Sequence, residues 1–132
     1  MSVTGFYAGL FGLMFVLLSV RIVRLRRKLR VGIGHRDQPL LERAIRVHSN
    51  FAEYVPISLL LIFFLESATR SPLWPHVLCV ALGIGRIVHA YGVSQVHENY
   101  RFRVIGMSLT FGVIVFASLA LLTCYARSFT VS

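Results

Sequence analysis

The chain has 132 residues, of which 56% are hydrophobic and 14% are charged, and its mean hydropathy is +0.72. A soluble domain carries about a quarter charged residues, so this composition excludes an ordinary soluble enzyme, a disordered chain and a disulfide scaffold. The chain has 14 Lys and Arg residues and 5 Asp and Glu residues, which gives a net charge of +9. Membrane topology accounts for this positive charge, so it does not indicate binding to nucleic acid. We therefore predict one membrane domain, residues 1–132, with no nucleic-acid partner.

Four segments are long and apolar enough to cross about 30 Å of hydrocarbon as helices. They cover residues 3–20, 47–65, 73–96 and 104–126. The fold predicted from these spans is an all-α integral membrane protein, a four-transmembrane-helix bundle. Small residues in the third and fourth spans are expected to allow close helix approach; they are Gly83, Gly85, Gly106 and Gly112.

Positive charge is concentrated in the connections on one side of the predicted bundle. Eight Lys and Arg residues lie in residues 21–43, and Arg101 and Arg103 precede the fourth span, whereas Arg70 and Arg127 lie on the other side. The positive-inside rule places the basic connections in the cytoplasm and both termini outside. Most of the basic run is a topology and headgroup signal, so membrane lipids are expected partners.

Polar side chains occur inside the second and third spans, where an ionisable group costs about 2.5 to 3.5 kcal/mol at the helix centre. One helical stripe that begins just before the second span and continues into it carries, in order, Arg46, Asn50, Glu53 and Tyr54. Arg86 in the third span lies at a similar depth, about 10 to 15 Å from the cytoplasmic boundary. Glu53 and Arg86 are therefore expected to form an ion pair.

Two interpretations of this polar cluster stay open. The pair of Glu53 and Arg86 could serve only to fix helix register. Alternatively, the surplus donors and acceptors, which include Asn50, His89 and Arg103, form a site open to the cytoplasm for a small, polar, anionic ligand. Metal binding is not expected, because the five histidines show no paired ligand spacing.

The run of residues 43–56, RAIRVHSNFAEYVP, resembles the signature of the MAPEG family, the membrane-associated proteins in eicosanoid and glutathione metabolism. Three shorter segments look like matching family segments: residues 23–28 (VRLRRK), 85–89 (GRIVH) and 101–103 (RFR). The likeness covers nearly the whole chain as a single MAPEG-like transmembrane domain. It implies a homotrimer of four-helix subunits, with glutathione held between neighbouring subunits near the cytoplasmic face.

The resemblance also implies roles for individual residues. Arg103 is expected to hold the glutathione thiolate as the catalytic residue, with Arg101 as the alternative at that position. A guanidinium beside the sulfur lowers the pKa of a thiol, which is about 8.5 when unperturbed, and so favours the nucleophilic thiolate. The residues expected to contact glutathione are Arg24, Arg27, Arg46, Asn50, Glu53, Tyr54, Arg86, His89 and Tyr91.

The activity implied is that of a glutathione-dependent transferase or peroxidase in detoxification, acting on hydrophobic electrophiles that reach the thiolate from the bilayer. The chain has Met107 where one branch of the eicosanoid enzymes carries a tyrosine, so no eicosanoid substrate is predicted. Two alternatives stay open: a noncatalytic glutathione- or lipid-binding membrane scaffold, and a small cation exporter. An exporter needs a membrane-embedded carboxylate, for which Glu53 is the candidate well inside a span.

Overall fold

The computed structural model describes residues 2–97 and 99–130; residues 1, 98, 131 and 132 of the predicted domain lie outside the described residues. The part that is described folds into the helices α1 (Val3–Leu29), α2 (Pro39–Thr69), α3 (Leu73–Ser94) and α4 (Tyr100–Thr130). All four are long and apolar enough to cross a membrane, by length and composition. The all-α, four-span prediction is thus confirmed.

Several helices extend beyond the apolar segments that predicted them. α1 continues through its basic run to Leu29, and Arg30 caps its end in a left-handed conformation with φ of 55°. α2 begins at Pro39, ahead of the predicted start at residue 47, and proline is favoured at this first helical position. Lys, Arg and Glu are good helix formers, so a helix continues where its hydrophobic pattern ends.

A carboxylate from α2 holds the first turn of α1. Glu66 accepts hydrogen bonds from the backbone N–H groups of Val3 at 2.7 Å and Thr4 at 2.9 Å, and from the Ser2 hydroxyl at 2.9 Å. A carboxylate here satisfies donors that lack a partner inside the helix and interacts favourably with the positive end of the helix dipole. The contact fixes the start of α1 beside the end of α2.

α2 contacts each of the other three helices, and the most extensive interface joins α3 and α4. α1 packs on α2 and α3, with no contact to α4 among the residues that the structure describes. All four helices contribute to the apolar core, which is formed by Phe11, Phe51, Val55, Ile62, Leu65, Leu78, Cys79, Leu82, Val113 and Ala117. The outer faces carry many exposed apolar side chains, as expected of helices surrounded by lipid.

The helices alternate in direction, so residues 2 and 130 lie at the same end of the bundle. At that end the Tyr7 hydroxyl lies 3.2 Å from Nδ1 of His76, which joins α1 to α3. The opposite end contains the connections from α1 to α2 and from α3 to α4, and it carries most of the Lys and Arg residues. We refer to this end as the basic end.

Candidate functional site

Arg86 of α3 lies in the interior of the bundle, where it is 2% exposed. Its Nη1 atom donates to Oδ1 of Asn50 at 2.6 Å, and Nη2 donates to the Gly106 carbonyl at 3.2 Å and to the Thr110 hydroxyl. Nη2 also lies 3.5 Å from the sulfur of Met107. Arg86 therefore ties α3 to α2 and α4 through neutral acceptors.

The predicted ion pair between Glu53 and Arg86 is not formed, because Glu53 is exposed and Arg86 bonds to Asn50 instead. Similar depth does not ensure contact, since each helical residue advances about 100° around the axis. Val47 lies on the buried face of α2, and Glu53, six residues later, is rotated about 120° away from it. The prediction of this ion pair was therefore wrong.

A cleft of about 530 Å³ opens at the basic end between α2, α3 and α4. This volume lies within the range of small-molecule sites, roughly 300 to 1,000 Å³. The cleft is mostly polar, and its lining unites five predicted site residues with four others. The lining residues are Glu42, Arg43, Arg46, Ser49, Asn50, Glu53, His89, Val93 and Arg103.

The α2 wall of the cleft presents a cation, an amide and a carboxylate in order along the helix axis. These are Arg46, Asn50 and Glu53, whose backbone positions span about 10 Å at a rise of about 1.5 Å per residue. Arg46 and Glu53 are exposed, and neither has a polar partner among the described residues. Because a cation and a carboxylate lie on either side of an amide, this wall suits a ligand that carries the complementary charges in the same order.

Close helix contact brings the α3 and α4 walls together. A Cβ atom on Gly92 would lie 2.8 Å from Cβ of Phe102 and 3.2 Å from the backbone nitrogen of Arg103, so glycine is needed where α4 begins against α3. Arg103 reaches the cleft from this segment, and His89, which is 4% exposed, lies three residues before Gly92 on α3. Of the two arginines considered for the thiolate position, Arg103 lines the cleft and Arg101 does not.

Two further predicted site residues form a layer beneath the cleft. Tyr54 lies one turn beyond Asn50, is half-buried, and packs on Phe111 of α4 with ring centroids 5.5 Å apart. Arg86 reaches the cleft only through Asn50. Neither side chain lines the cleft directly, so each can act on a ligand chiefly through the residues above it.

Three predicted ligand residues lie away from the cleft. Arg24 borders a different, largely apolar crevice beside Arg21. Arg27 is exposed near the end of α1, and Tyr91 is 57% exposed and packs edge-on against Phe102 with centroids 5.4 Å apart. The fold of the chain therefore does not bring these three to the other site residues.

The cleft also contains four residues that the sequence reasoning missed, namely Glu42, Arg43, Ser49 and Val93. Arg43 lies three residues before Arg46 on the same helical stripe, and this spacing was an available signal. Arg43 donates to the carbonyls of Val93 at 3.1 Å and Val96 at 3.3 Å, so it also holds the end of α3. No sequence pattern marks Val93, because its position depends on where α3 ends.

Comparison with known proteins gives two consistent findings. A model of the MAPEG family matches residues 4–123. Over 118 residues, the chain is 36% identical to the Inner membrane protein YecN of Escherichia coli strain K12, with 89% of this chain and 88% of that protein covered. The protein of the same name from Escherichia coli O6:H1 strain CFT073 shows the same identity and coverage. The chain is therefore a multi-pass membrane protein that belongs to the MAPEG family.

Proposed function

We propose that the protein is a glutathione-dependent transferase or peroxidase that acts on hydrophobic electrophiles in the membrane. The observation that carries the proposal is the order of cation, amide and carboxylate along the α2 wall of the cleft. Membership of the MAPEG family, whose members act in eicosanoid and glutathione metabolism, supports the choice of ligand.

Glutathione matches the α2 wall in length and in charge. Three extended α-linked residues span about 10 Å at roughly 3.3 to 3.6 Å each, and the γ-linked glutamate makes glutathione somewhat longer, so the peptide can reach between the backbone positions of Arg46 and Glu53. The Arg46 guanidinium can bind a carboxylate through two hydrogen bonds, and Glu53 can accept from an ammonium group. Asn50 lies between them along α2, where it would face the peptide backbone of the bound glutathione. The wall therefore suits a zwitterionic peptide better than a simple anion.

Arg103, on the α4 side of the cleft, is assigned to the thiol of the bound peptide. A guanidinium beside the sulfur lowers the pKa of the thiol, so the proton leaves to solvent and the thiolate persists at neutral pH. Val104 and Ile105 follow Arg103 and are 61% and 51% exposed, which provides an apolar approach from the lipid. A hydrophobic electrophile would reach the sulfur along this side.

The proposal includes a homotrimer with glutathione between neighbouring subunits. Arg24, Arg27 and Tyr91 support this arrangement, because they lie on exposed surfaces away from their own cleft and would be free to meet that of a neighbour. The concentration of Lys and Arg at the basic end supports a cytoplasmic site with both termini outside.

Titration calorimetry of the detergent-solubilised protein with glutathione tests the proposal, followed by conjugation of an electrophilic aromatic halide. We expect saturable binding, an ultraviolet absorbance band from bound thiolate, and release of halide as the carbon–sulfur bond forms. Binding without the thiolate band would favour the noncatalytic scaffold. An absence of saturable binding would contradict the proposal.

A further inference from the structure

We propose that Arg86 is a positioning residue that fixes the Asn50 amide, so that the cleft presents a hydrogen-bond donor there. The donor selects an acceptor on the ligand, a carbonyl or carboxylate oxygen. The identification of this ligand as glutathione rests on the proposed function. The orientation of Asn50 does not depend on that function. The contact that carries the inference is the 2.6 Å hydrogen bond from Nη1 of Arg86 to Oδ1 of Asn50.

The chemistry of the two groups decides which end of the amide faces Arg86. A guanidinium has N–H donors and no acceptor, whereas an Asn amide has an acceptor oxygen at one end and two N–H donors at the other. A reversed Asn50 amide would set donors against donors and leave a buried charged N–H without a partner. Oδ1 therefore faces Arg86, and Nδ2 is the end that remains for the cleft.

Arg86 is held strongly enough to impose this orientation. Its side chain is buried, and its second terminal nitrogen donates to the Gly106 carbonyl and the Thr110 hydroxyl on α4. Hydrogen bonds from a charged donor are shorter and stronger than neutral ones. Turning the guanidinium away from Asn50 would break contacts to two helices, so Asn50 adapts to Arg86 and not to the ligand.

Asn50 is half-buried in the cleft lining, and its Nδ2 atom has no hydrogen bond to any described residue. This N–H pair is therefore available to a ligand. An ammonium group or another N–H donor is disfavoured at this position and is directed to Glu53, one turn along α2. A peptide carbonyl or carboxylate oxygen of glutathione can accept the hydrogen bond that Nδ2 of Asn50 donates.

Asn50→Asp tests the polarity of the atom that faces the cleft. Aspartate has almost the same shape, keeps an oxygen toward Arg86, and replaces the N–H donor in the cleft with a second oxygen. We expect glutathione to bind about 10- to 100-fold more weakly to this variant in titration calorimetry. Equal or tighter binding would overturn the inference, because it would mean that an oxygen already faces the ligand.

Variants of Arg86 separate positioning from a purely structural role. Arg86→Met should weaken glutathione binding about tenfold, whereas Arg86→Lys, which keeps a charged donor but has only one terminal nitrogen, should recover part of this loss. In an Asn50→Ala background, Arg86→Met should change the affinity less than about twofold, because no amide remains to be oriented. A similar loss in both backgrounds would overturn the positioning role.

Thermal unfolding without ligand tests the contact between Arg86 and the side chain at position 50, on which the orientation depends, independently of glutathione. Asn50→Asp should raise the apparent melting temperature by about 2 to 5 °C when Arg86 is present, because a neutral acceptor becomes a charged one. In an Arg86→Met background the same change should lower it. Failure of this reversal would overturn the inferred orientation even if glutathione binds. If the wild type bound no glutathione, the proposed function would fail, and these melting temperatures would still test the contact between Arg86 and Asn50 on which the inferred orientation rests.

Discussion

Gly106 lies so close to Gly85 that a Cβ atom on Gly106 would be 2.7 Å from the Gly85 carbonyl oxygen. The same Cβ would lie 2.7 Å from the backbone nitrogen of His89. Non-bonded atoms do not approach so closely, so a side chain here must push α4 away from α3. Because the Gly106 carbonyl also accepts from Arg86, this contact sets the height of the buried guanidinium as well as the α4 wall of the cleft.

Gly106→Ala is expected to lower the apparent melting temperature and weaken glutathione binding, because overpacking costs about 1 to 3 kcal/mol. Gly112→Ala is the matched control: a Cβ atom there meets nothing within 4 Å, and alanine favours a helix. Thermal unfolding in detergent compares the two variants. If Gly106→Ala had the same apparent melting temperature as the wild type, this result would contradict the close contact.

Glu66→Ala should reduce the free energy of unfolding by about 1 to 2 kcal/mol, because the first turn of α1 loses a charged cap. Arg70→Gln is the control, since the Arg70 side chain has no polar partner within the described part of the chain. The cap lies at the end opposite the cleft, so the glutathione affinity of Glu66→Ala should not change. Loss of affinity with unchanged stability would show that the role assigned to Glu66 is wrong.

Arg103→Gln should move the pH profile of conjugation upward by about one pH unit or more, because the bound thiol regains a pKa near about 8.5. A thiol with a lowered pKa is reactive above that pKa and loses reactivity as the pH falls through it. The wild-type rate should therefore persist at neutral pH, where the variant rate falls. The pH dependence of the thiolate absorbance band provides the measurement.

Arg101→Gln is the control for this experiment, because Arg101 does not line the cleft. Its pH profile should match that of the wild type. If the pH profile shifted in Arg101→Gln and not in Arg103→Gln, Arg101 would be the arginine that lies beside the thiolate.

Glu53→Gln should weaken the binding of glutathione about 10- to 100-fold, because the ammonium group loses its charged acceptor. The same substitution should have little effect on a glutathione analogue that lacks the amino group. Calorimetric titration of both ligands into both proteins makes this comparison. An equal loss for the two ligands would mean that Glu53 supports the cleft without contacting the ammonium group.

The second helix shows how much of the site the hydrophobic pattern could predict. The pattern located the span and set Arg46, Asn50 and Glu53 on one stripe, and the structure places all three in one cleft. It could not decide whether Asn50 or Glu53 meets Arg86. That choice depends on the rotation of α2 about its axis, which the packing of its buried face determines.

Contacts between distant parts of the chain were the least predictable. Close approach at Gly85 and Gly106 was predicted and is confirmed, whereas Gly112 has no near neighbour. Gly92 was not singled out, because its need for a small residue arises only where the start of α4 crosses α3. The Glu66 cap likewise joins the end of one helix to the start of another, and no local pattern predicts such a pairing.

Electron cryomicroscopy of the protein in lipid nanodiscs with saturating glutathione tests the central claim most directly. We predict density for the peptide along the α2 wall, with a carboxylate on Arg46, an acceptor oxygen on Asn50 and the sulfur beside Arg103. An empty cleft, or a map in which Arg46 and Glu53 bind only each other or lipid headgroups, would contradict the claim.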